Sequence, residues 1–596
     1  MTMKNNIITK GLKALVIGTV IVPALSSCSD DYLDLAPITD LSTSTVAASL
    51  TGARAAMVGL CNGMYRAVDD GTLGNNGANG EAWIVGFYGE CFGNSTIRNF
   101  NSYSAAFVNN YGNWTYMNTP SSGSVGYMWK YAYNLIDDAN NILAVIDEVE
   151  ISDEEKGERD YIEASALTIR AHAYVRLLQT YAPRWNDSNN GNAYCLILRT
   201  EPTTPENADK DFSTMGQVLD QIYSDLEKAI SLYSGVTDYS RGSNIWMPDV
   251  NVARGIYARA ALLKNDYNTA SSMASAALAN YSIMSADEYR SGFVVANKEY
   301  IWASNLEQEG IYWYTFCSWQ GFNGYYTAAF GFGDLMDHNL YQKMSDTDCR
   351  KLLYYMPELM DVAPLMADAF GITPEDFFYY STDSDGNPSE VGLVDRSTAT
   401  FKYIVSGADG NGYSFLDSYG WGDYVEYGES ALANYSNVGD WWGYNPPLFG
   451  MNMKFWGTGD YAYCNYPFMR ASEMGYIVAE AQYMLGNEGA AQSMMNSLNR
   501  DVRDPEFNCT ATGADLLAQI KAYRTIELWN EGFNWFDLKR WGDPCTRNKW
   551  VEGDLNSGNW PATFNSYEPS AMNGWRWSVP ESEYLYNKGA DPDKVR

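Results

Sequence analysis

Histidine is nearly absent: His172 and His338 are the only two in 596 residues. A histidine-based triad or a histidine-rich metal site therefore fits this chain poorly. The nine cysteines include no C-x-x-C pair and no zinc-ligand spacing, which removes the usual zinc and dithiol motifs as well. Basic charge is short too, with 40 Lys and Arg against 73 Asp and Glu and a formal charge of -33. Such a chain repels nucleic acid and anionic membrane surfaces and disfavours polyanionic ligands. Neither a nucleophile elbow nor a phosphate-binding glycine loop occurs. Oxygen ligands are plentiful but no twelve-residue EF-hand loop is present, so no cofactor is expected and a structural calcium ion stays an open alternative. Beyond the N-terminus no apolar run reaches the roughly 20 residues that a membrane span needs.

Aromatic side chains are abundant by contrast, at 15% of residues with 46 Tyr and 19 Trp. Much of this falls in Gly- and Asn-rich segments where no long helix could bury it, so some is expected at the surface. The N-terminus is equally distinctive. Lys4, Lys10 and Lys13 precede an apolar run from Ala14 to Ala24, too short to span a bilayer and suited to an export signal over residues 1–27. It ends in Leu25-Ser26-Ser27-Cys28, which resembles a bacterial lipobox with Cys28 as the lipidated residue. Asp30, Asp31 and Asp34 follow at once, similar to the surface-export signal of Bacteroidota lipoproteins. The expected product is anchored to the outer membrane through acyl chains and exposed on the cell surface.

Helical periodicity governs two blocks, about 125–285 and 468–542. Tyr131, Leu135, Ile142 and Ile146 lie down one face of the first helix, and Ala164, Leu167, Ala171, Tyr174 and Leu178 down the second, which Pro183 stops. His172 lies in that second helix and is expected to be a packing residue. Met215–Leu232 reads as a further amphipathic helix. In Val252–Leu278 one helix ends at Asn265-Asp266-Tyr267 and the next carries Ala270, Ala274 and Ala277, small residues whose spacing lets two helices pack closely. Ser472–Leu498 repeats the arrangement through Leu485-Gly486-Asn487. The fold class is mostly α, a scaffold of tetratricopeptide-like helical pairs. Between the blocks, about 300–467 crowds Gly, Asn, Asp, Ser and aromatics with few regular periods, a loop-rich insertion of the kind that carries function.

Leu516, Ile520, Tyr523, Ile526 and Trp529 form a last apolar stripe, and Gly532 breaks it into two helices. Arg524 and Glu527 sit one turn apart, as do Asp537 and Arg540, and charges so close to an apolar face are expected to pair. The run Gly532, Trp535, Phe536, Asp537, Leu538, then Arg540-Trp541-Gly542, resembles the C-terminal signature of the SusD/RagB family, outer-membrane lipoproteins that capture glycans for a TonB-dependent transporter. Similar to that family too are Arg470, Glu473 and Glu480 in RASEMGYIVAEAQYML, the Asp348-Cys349-Arg350 triplet, and Pro580 with Glu583 near the end. Only the last dozen positions depart from it. The resemblance implies one SusD-like domain over residues 28–596, structural ion pairs at the signature charges and at Asp348 and Arg350, and a SusC-type TonB-dependent transporter as partner.

A sugar ring offers C–H groups on one face and hydroxyls round its rim, so its site calls for flat aromatic faces flanked by polar side chains. One such neighbourhood holds Trp313, Trp319, Asn323, Tyr325 and Tyr326; a second holds Glu81, Trp83, Tyr88 and Trp114; others are Trp421–Tyr427 and Trp441–Tyr444. The family builds its glycan platform from an early tryptophan-bearing loop and from aromatics of the middle insertion. By position this implies Trp83 for the former and Trp319, Tyr325 and Tyr326 for the latter. The expected activity is capture of a neutral oligo- or polysaccharide without catalysis. A peptide-capturing member of the same family and a glycoside hydrolase are the alternatives. A pure scaffolding repeat would leave the aromatic insertion without a purpose.

Overall fold

The structure is a computed structural model that describes residues 49–64, 80–81, 84–98, 117–290, 293–305, 334–351, 454–455, 464–549, 558, 560, 565–569 and 575–595, with the backbone of four short strands between 379 and 427. The described residues belong to one compact unit, Ser42–Arg596. Helix α1 (Leu50–Gly63) is followed by a π-helical segment at Ile84–Cys91 and strand β1 (Thr96–Arg98). Next come α2 (Gly123–Leu143), α3 (Lys156–Tyr181), β2 (Tyr194–Leu196), β3 (Ser213–Thr214), α4 (Met215–Gly235), α5 (Val250–Leu263) and α6 (Tyr267–Leu278). The middle region contributes α7 (Ala286–Arg290), β4 (Tyr300–Ala303), β5 (Asp334–Met336) and α8 (His338–Tyr341). It also holds the hairpin-like pairs β6 (Tyr379–Thr382) with β7 (Pro388–Val391) and β8 (Phe401–Tyr403) with β9 (Val425–Tyr427). Strand β10 (Pro467–Arg470) leads into α9 (Ala471–Met484), α10 (Glu488–Leu498), α11 (Gly513–Glu527) and α12 (Asn534–Trp541), and α13 (Glu581–Tyr586) lies near the C-terminus.

The helices stack in chain order: α2 on α3, α3 on α4, α4 on α5, α5 on α6. This is the mostly α, tetratricopeptide-like architecture that the periodicity predicts. Local chemistry sets the helix starts. Thr214 and Gln217 form a reciprocal capping box on α4, and Asp249 accepts from the Asn251 and Val252 amides at the head of α5. Ala270, Ala274 and Ala277 are fully buried where α6 meets its neighbours. The turn before α6 places Asn265 in the left-handed region (φ 58°), and Gly486 takes the same role before α10 (φ 81°). At Gly475 a methyl group would press on Leu498, so α9 and α10 owe their close approach to that glycine.

The stack does not end at α6. Helix α9, almost 200 residues later in the chain, packs directly on α6, with the Gln482 amide donating to Ser271 Oγ at 2.8 Å. The intervening chain leaves and returns through an antiparallel ribbon in which Pro467 faces Ala303 and Arg470 faces Tyr300. The middle region is thus an excursion from a continuous helical scaffold.

Where the excursion meets the scaffold lies a buried charge network. Glu527 faces three guanidiniums: Arg350 at 2.9 Å, Arg470 at 3.0 Å and Arg503 at 3.0 Å. Arg470 also reaches Glu299 at 2.5 Å and Glu531 at 2.7 Å, and Lys454 joins Glu531 at 2.6 Å. Asp348 pairs with Arg350 at 2.7 Å, as the triplet implies. The signature charges pair too, but across elements. Arg524 takes Asp537 at 2.7 Å and not its helix neighbour Glu527, and Asp537 is shared with Arg540, whose Nη2 meets Glu480 at 2.6 Å.

Removing one member strands its partners in a dry interior, which costs about 3–5 kcal/mol. Glu527→Gln should therefore lower stability by that amount in urea titration, while Arg500→Ala, at the half-exposed Arg500–Asp501 pair, should leave the midpoint unchanged. Burial opposes ionisation of Glu527, yet Arg503, Arg470 and Arg350 hold its carboxyl well below the ordinary 4.5. Its contribution is present above about pH 4.5 and is lost as pH falls, so acid should unfold the wild type from that point downward.

Candidate functional site

The described residues flank the segments that carry most of the aromatic candidates. Trp83, Trp114, Trp313, Trp319, Asn323, Tyr325 and Tyr326, together with Cys28, lie outside the described residues, as do the side chains of Trp421–Tyr427 and Trp441–Tyr444. Their flanks are another matter. Strand β1 runs into segment 99–116, and segment 306–333 runs into β5. The two strands pair antiparallel, with Thr96 opposite Met336 and Arg98 opposite Asp334. Arg98 ends β1 and Asp334 begins β5, so both aromatic-bearing segments start from the same end of one ribbon. The segment that follows β1 and the one that precedes β5 have neighbouring bases, although the paired residues lie 236 to 240 positions apart in the chain.

The ribbon is held by the turn between α11 and α12. Asn534 Oδ1 accepts from the Asn94 amide at 2.7 Å and the Ser95 amide at 3.1 Å. Ser95 O accepts from Trp529 Nε1 at 3.0 Å and from the Asp337 amide at 2.8 Å. Asp337 in turn caps α8 through the Leu340 amide and accepts from Trp560 Nε1 at 2.9 Å. Backbone approach is tight enough that a methyl group at Gly89 would collide with the Gly532 backbone, and one at Gly93 with Asn534. Gly532 itself has φ 83°, a conformation that favours glycine. Tyr88, Phe92, Trp535 and Trp577 then pack as one buried aromatic group beneath the π-helical segment.

This corrects one expectation. Glu81 and Tyr88 do not flank a ligand; both are fully buried. Glu81 accepts from Tyr131 Oη at 3.0 Å, His172 Nε2 at 2.6 Å and Arg176 Nη2 at 2.8 Å. Burial raises its carboxyl, but Arg176 and His172 together pull it well below the usual carboxylate range. His172, pushed down by burial more than Glu81 lifts it, is a neutral packing residue as the helical context suggests. The polar and aromatic character of these positions serves the fold, which uses Glu81 to seat α3.

Glu90 is the contrasting case. It is fully buried and accepts from Thr96 Oγ1 at 2.8 Å, Ser95 Oγ at 3.3 Å and the Gly532 amide at 2.6 Å. Burial, against the hydrogen bonds from Thr96 and Gly532, pushes its carboxyl from 4.5 up to about 7. Between those two pH values the folded state keeps a proton that the unfolded chain releases. Its stabilisation is complete below about pH 4.5 and is lost as pH rises through 7, on the order of 3 kcal/mol in all. Glu90→Gln should therefore gain in melting temperature relative to wild type between pH 5 and pH 8; a constant difference would remove Glu90 from this role.

The pattern of the SusD family matches residues 298–590, and that of a family called starch-binding, associating with outer membrane, matches residues 73–244. No curated protein matches the chain in sequence. Among solved structures, a SusD-like carbohydrate binding protein from Bacteroides vulgatus is similar over 91% of this chain and 98% of its own, at 21% identity and a TM-score of 0.63. One of the same description from Bacteroides fragilis is similar over 93% and 100%, at 16% identity and 0.61. A SusD superfamily protein from Bacteroides thetaiotaomicron is similar over 91% and 99%, at 16% identity and 0.59. These likenesses establish a shared fold. With the C-terminal signature inside one matching pattern and the first helical pairs inside another, the chain belongs to the SusD/RagB family.

Proposed function

We propose that the protein is a lipid-anchored, cell-surface glycan-binding subunit that captures a neutral oligo- or polysaccharide and delivers it to a SusC-type TonB-dependent transporter, making and breaking no bond. The observation that carries this reading is the β1–β5 ribbon, from one end of which segments 99–116 and 306–333 both depart. Those segments bear Trp114, Trp313, Trp319, Tyr325 and Tyr326. Flat rings set on a common base suit the C–H faces of successive sugar units, and a polar neighbour such as Asn323 suits their hydroxyls. Trp83, which precedes the π-helical segment in sequence, is the early candidate that the family resemblance implies. Support for the ligand class comes from the starch-binding family pattern and the carbohydrate-binding proteins of like fold.

Net acidity favours an uncharged glycan. Attachment rests on Cys28 behind the basic and apolar leader; no helix among the described residues is long and apolar enough to cross a membrane. Family membership supports the choice of a transporter as partner, and the helical stack offers a body on which the loops can be presented.

Electrophoresis of the mature chain carrying Cys28→Ser through gels containing neutral and acidic polysaccharides tests the ligand. Retardation by a neutral glycan is expected, weakened about five- to tenfold by Trp83→Ala, Trp319→Ala or Tyr325→Ala. Retardation by none, in a folded sample, would favour peptide capture. Asn534→Ala, which frees the Asn94 and Ser95 amides at the ribbon base, should weaken retention without changing which glycan is bound. In whole cells, Cys28→Ser should move the protein from the detergent to the aqueous phase on Triton X-114 partition; no shift would refute the anchor.

A further inference from the structure

Helices α2 and α13 enclose a groove of about 570 Å³ that shares no residue with the β1–β5 ribbon, a size within the range of small-ligand sites. Trp129 and Tyr133 line it, with ring centres 4.8 Å apart and planes inclined at 45°. Their polar ends are already committed. Trp129 Nε1 donates to Glu583 Oε2 at 2.9 Å, and the Tyr133 hydroxyl donates to Ile197 O at 2.8 Å while accepting from the Ile197 amide at 2.9 Å. Asn587 Nδ2 donates to the other Glu583 oxygen at 2.7 Å. These side chains are held in place before any ligand arrives, which lowers the ordering cost of binding.

Tyr586 also lines the groove, from α13, and is 82% exposed. A tyrosine held that far into solvent on a short helix gains little from burial and is available for contact. Asn134, exposed on α2, adds an amide that both donates and accepts. The charged residues of the groove balance, with Lys130 and Arg199 against Asp137 and Glu583, although the chain as a whole carries -33. Trp129 is buried and Tyr133 partly so, and they form the floor of the groove. Local neutrality, an exposed ring and an amide together match an uncharged sugar: the Tyr586 ring takes its C–H face and the Asn134 amide its hydroxyls. A protein partner would want a wider apolar face than Tyr586 and its neighbour Leu585 provide.

We propose that this groove is a second saccharide-binding site, taking a neutral pyranose unit of the same polymer that the aromatic loops capture. The choice of sugar as ligand rests on the function proposed above; the location does not. Two separated contacts on one polymer raise avidity without any new interaction at either.

The mature chain with Cys28→Ser is run through gels containing amylopectin, galactomannan or mixed-linkage β-glucan, alongside Tyr586→Ala, Asn134→Ala, Trp319→Ala and the Trp319→Ala/Tyr586→Ala pair. On the polymer that retards wild type, Tyr586→Ala and Asn134→Ala should each weaken retention by about two- to fivefold. Trp319→Ala should leave a residue of retention that the double variant lacks. Both groove positions are exposed, so unchanged melting curves would show that the fold is intact. If Tyr586→Ala and Asn134→Ala retain full affinity while Trp319→Ala abolishes it, the second site is refuted and the loop reading stands. If none of the three polymers retards wild type, the second site falls too.

Discussion

Eight acidic and basic side chains share one buried pocket of this protein, and the geometry around them depends on their staying together. Arg350, Lys454, Arg470 and Arg503 face Glu299, Asp348, Glu527 and Glu531, each of them buried. Cations and carboxylates are equal in number, so the pocket is neutral although the chain is not. Burying such charges is unfavourable for each taken singly, and an apolar core of the same volume would be at least as stable. What the charges supply is position. A hydrophobic contact tolerates sliding, whereas a guanidinium with three carboxylate partners has one place to sit. Because Glu299, Asp348, Arg350 and Lys454 come from the excursion, and Arg503, Glu527 and Glu531 from helix α11 and the turns on either side of it, the network pins one to the other.

From that pin a chain of contacts runs outward through a few residues. Glu531 belongs to the network; Gly532 donates to Glu90; Asn534 holds Asn94 and Ser95. The C-terminal signature therefore touches no ligand in this reading, yet it fixes the base of β1 and, through the Asp337 amide on Ser95 O, the end of β5. Two buried glutamates a short distance along this path behave oppositely. Glu527, ringed by arginines, is held ionised, while Glu90, among hydroxyls and an amide, is pushed toward its neutral form. Burial is common to both; the partners decide the outcome.

Much of the scaffold was legible in the sequence because helices announce themselves locally. The alanines of α6, the Asn265 and Gly486 turns, and the break at Gly532 all fall within a few residues of the signals that predict them. Pairing was less legible. Arg524 looks like a partner for Glu527 on spacing alone, but the fold turns it to Asp537, because helix α12 folds back where a linear reading has only a glycine. The β1–β5 ribbon left no trace: strands of three residues have no usable period, and their register joins positions that no local pattern connects. Glu81 and Tyr88 show the reverse error, since a polar and an aromatic residue beside a tryptophan look like a binding loop until a distant helix is seen to bury them. Composition marks the candidate aromatics, and the structure brings the starts of segments 99–116 and 306–333 to one end of the β1–β5 ribbon.

The return of the excursion beside its own departure, Pro467 opposite Ala303, has a bearing on how such a protein can change. Chain closure between fixed neighbouring ends grows costlier only with the logarithm of length, about 0.6 kcal/mol for each doubling. Residues could be added to or removed from the segment between those two strands without altering the distance its ends must span, and without moving α6 relative to α9. The scaffold is in that sense indifferent to the length of the excursion wherever the chain does not carry Asp348, Arg350 or Lys454 into the buried charge network.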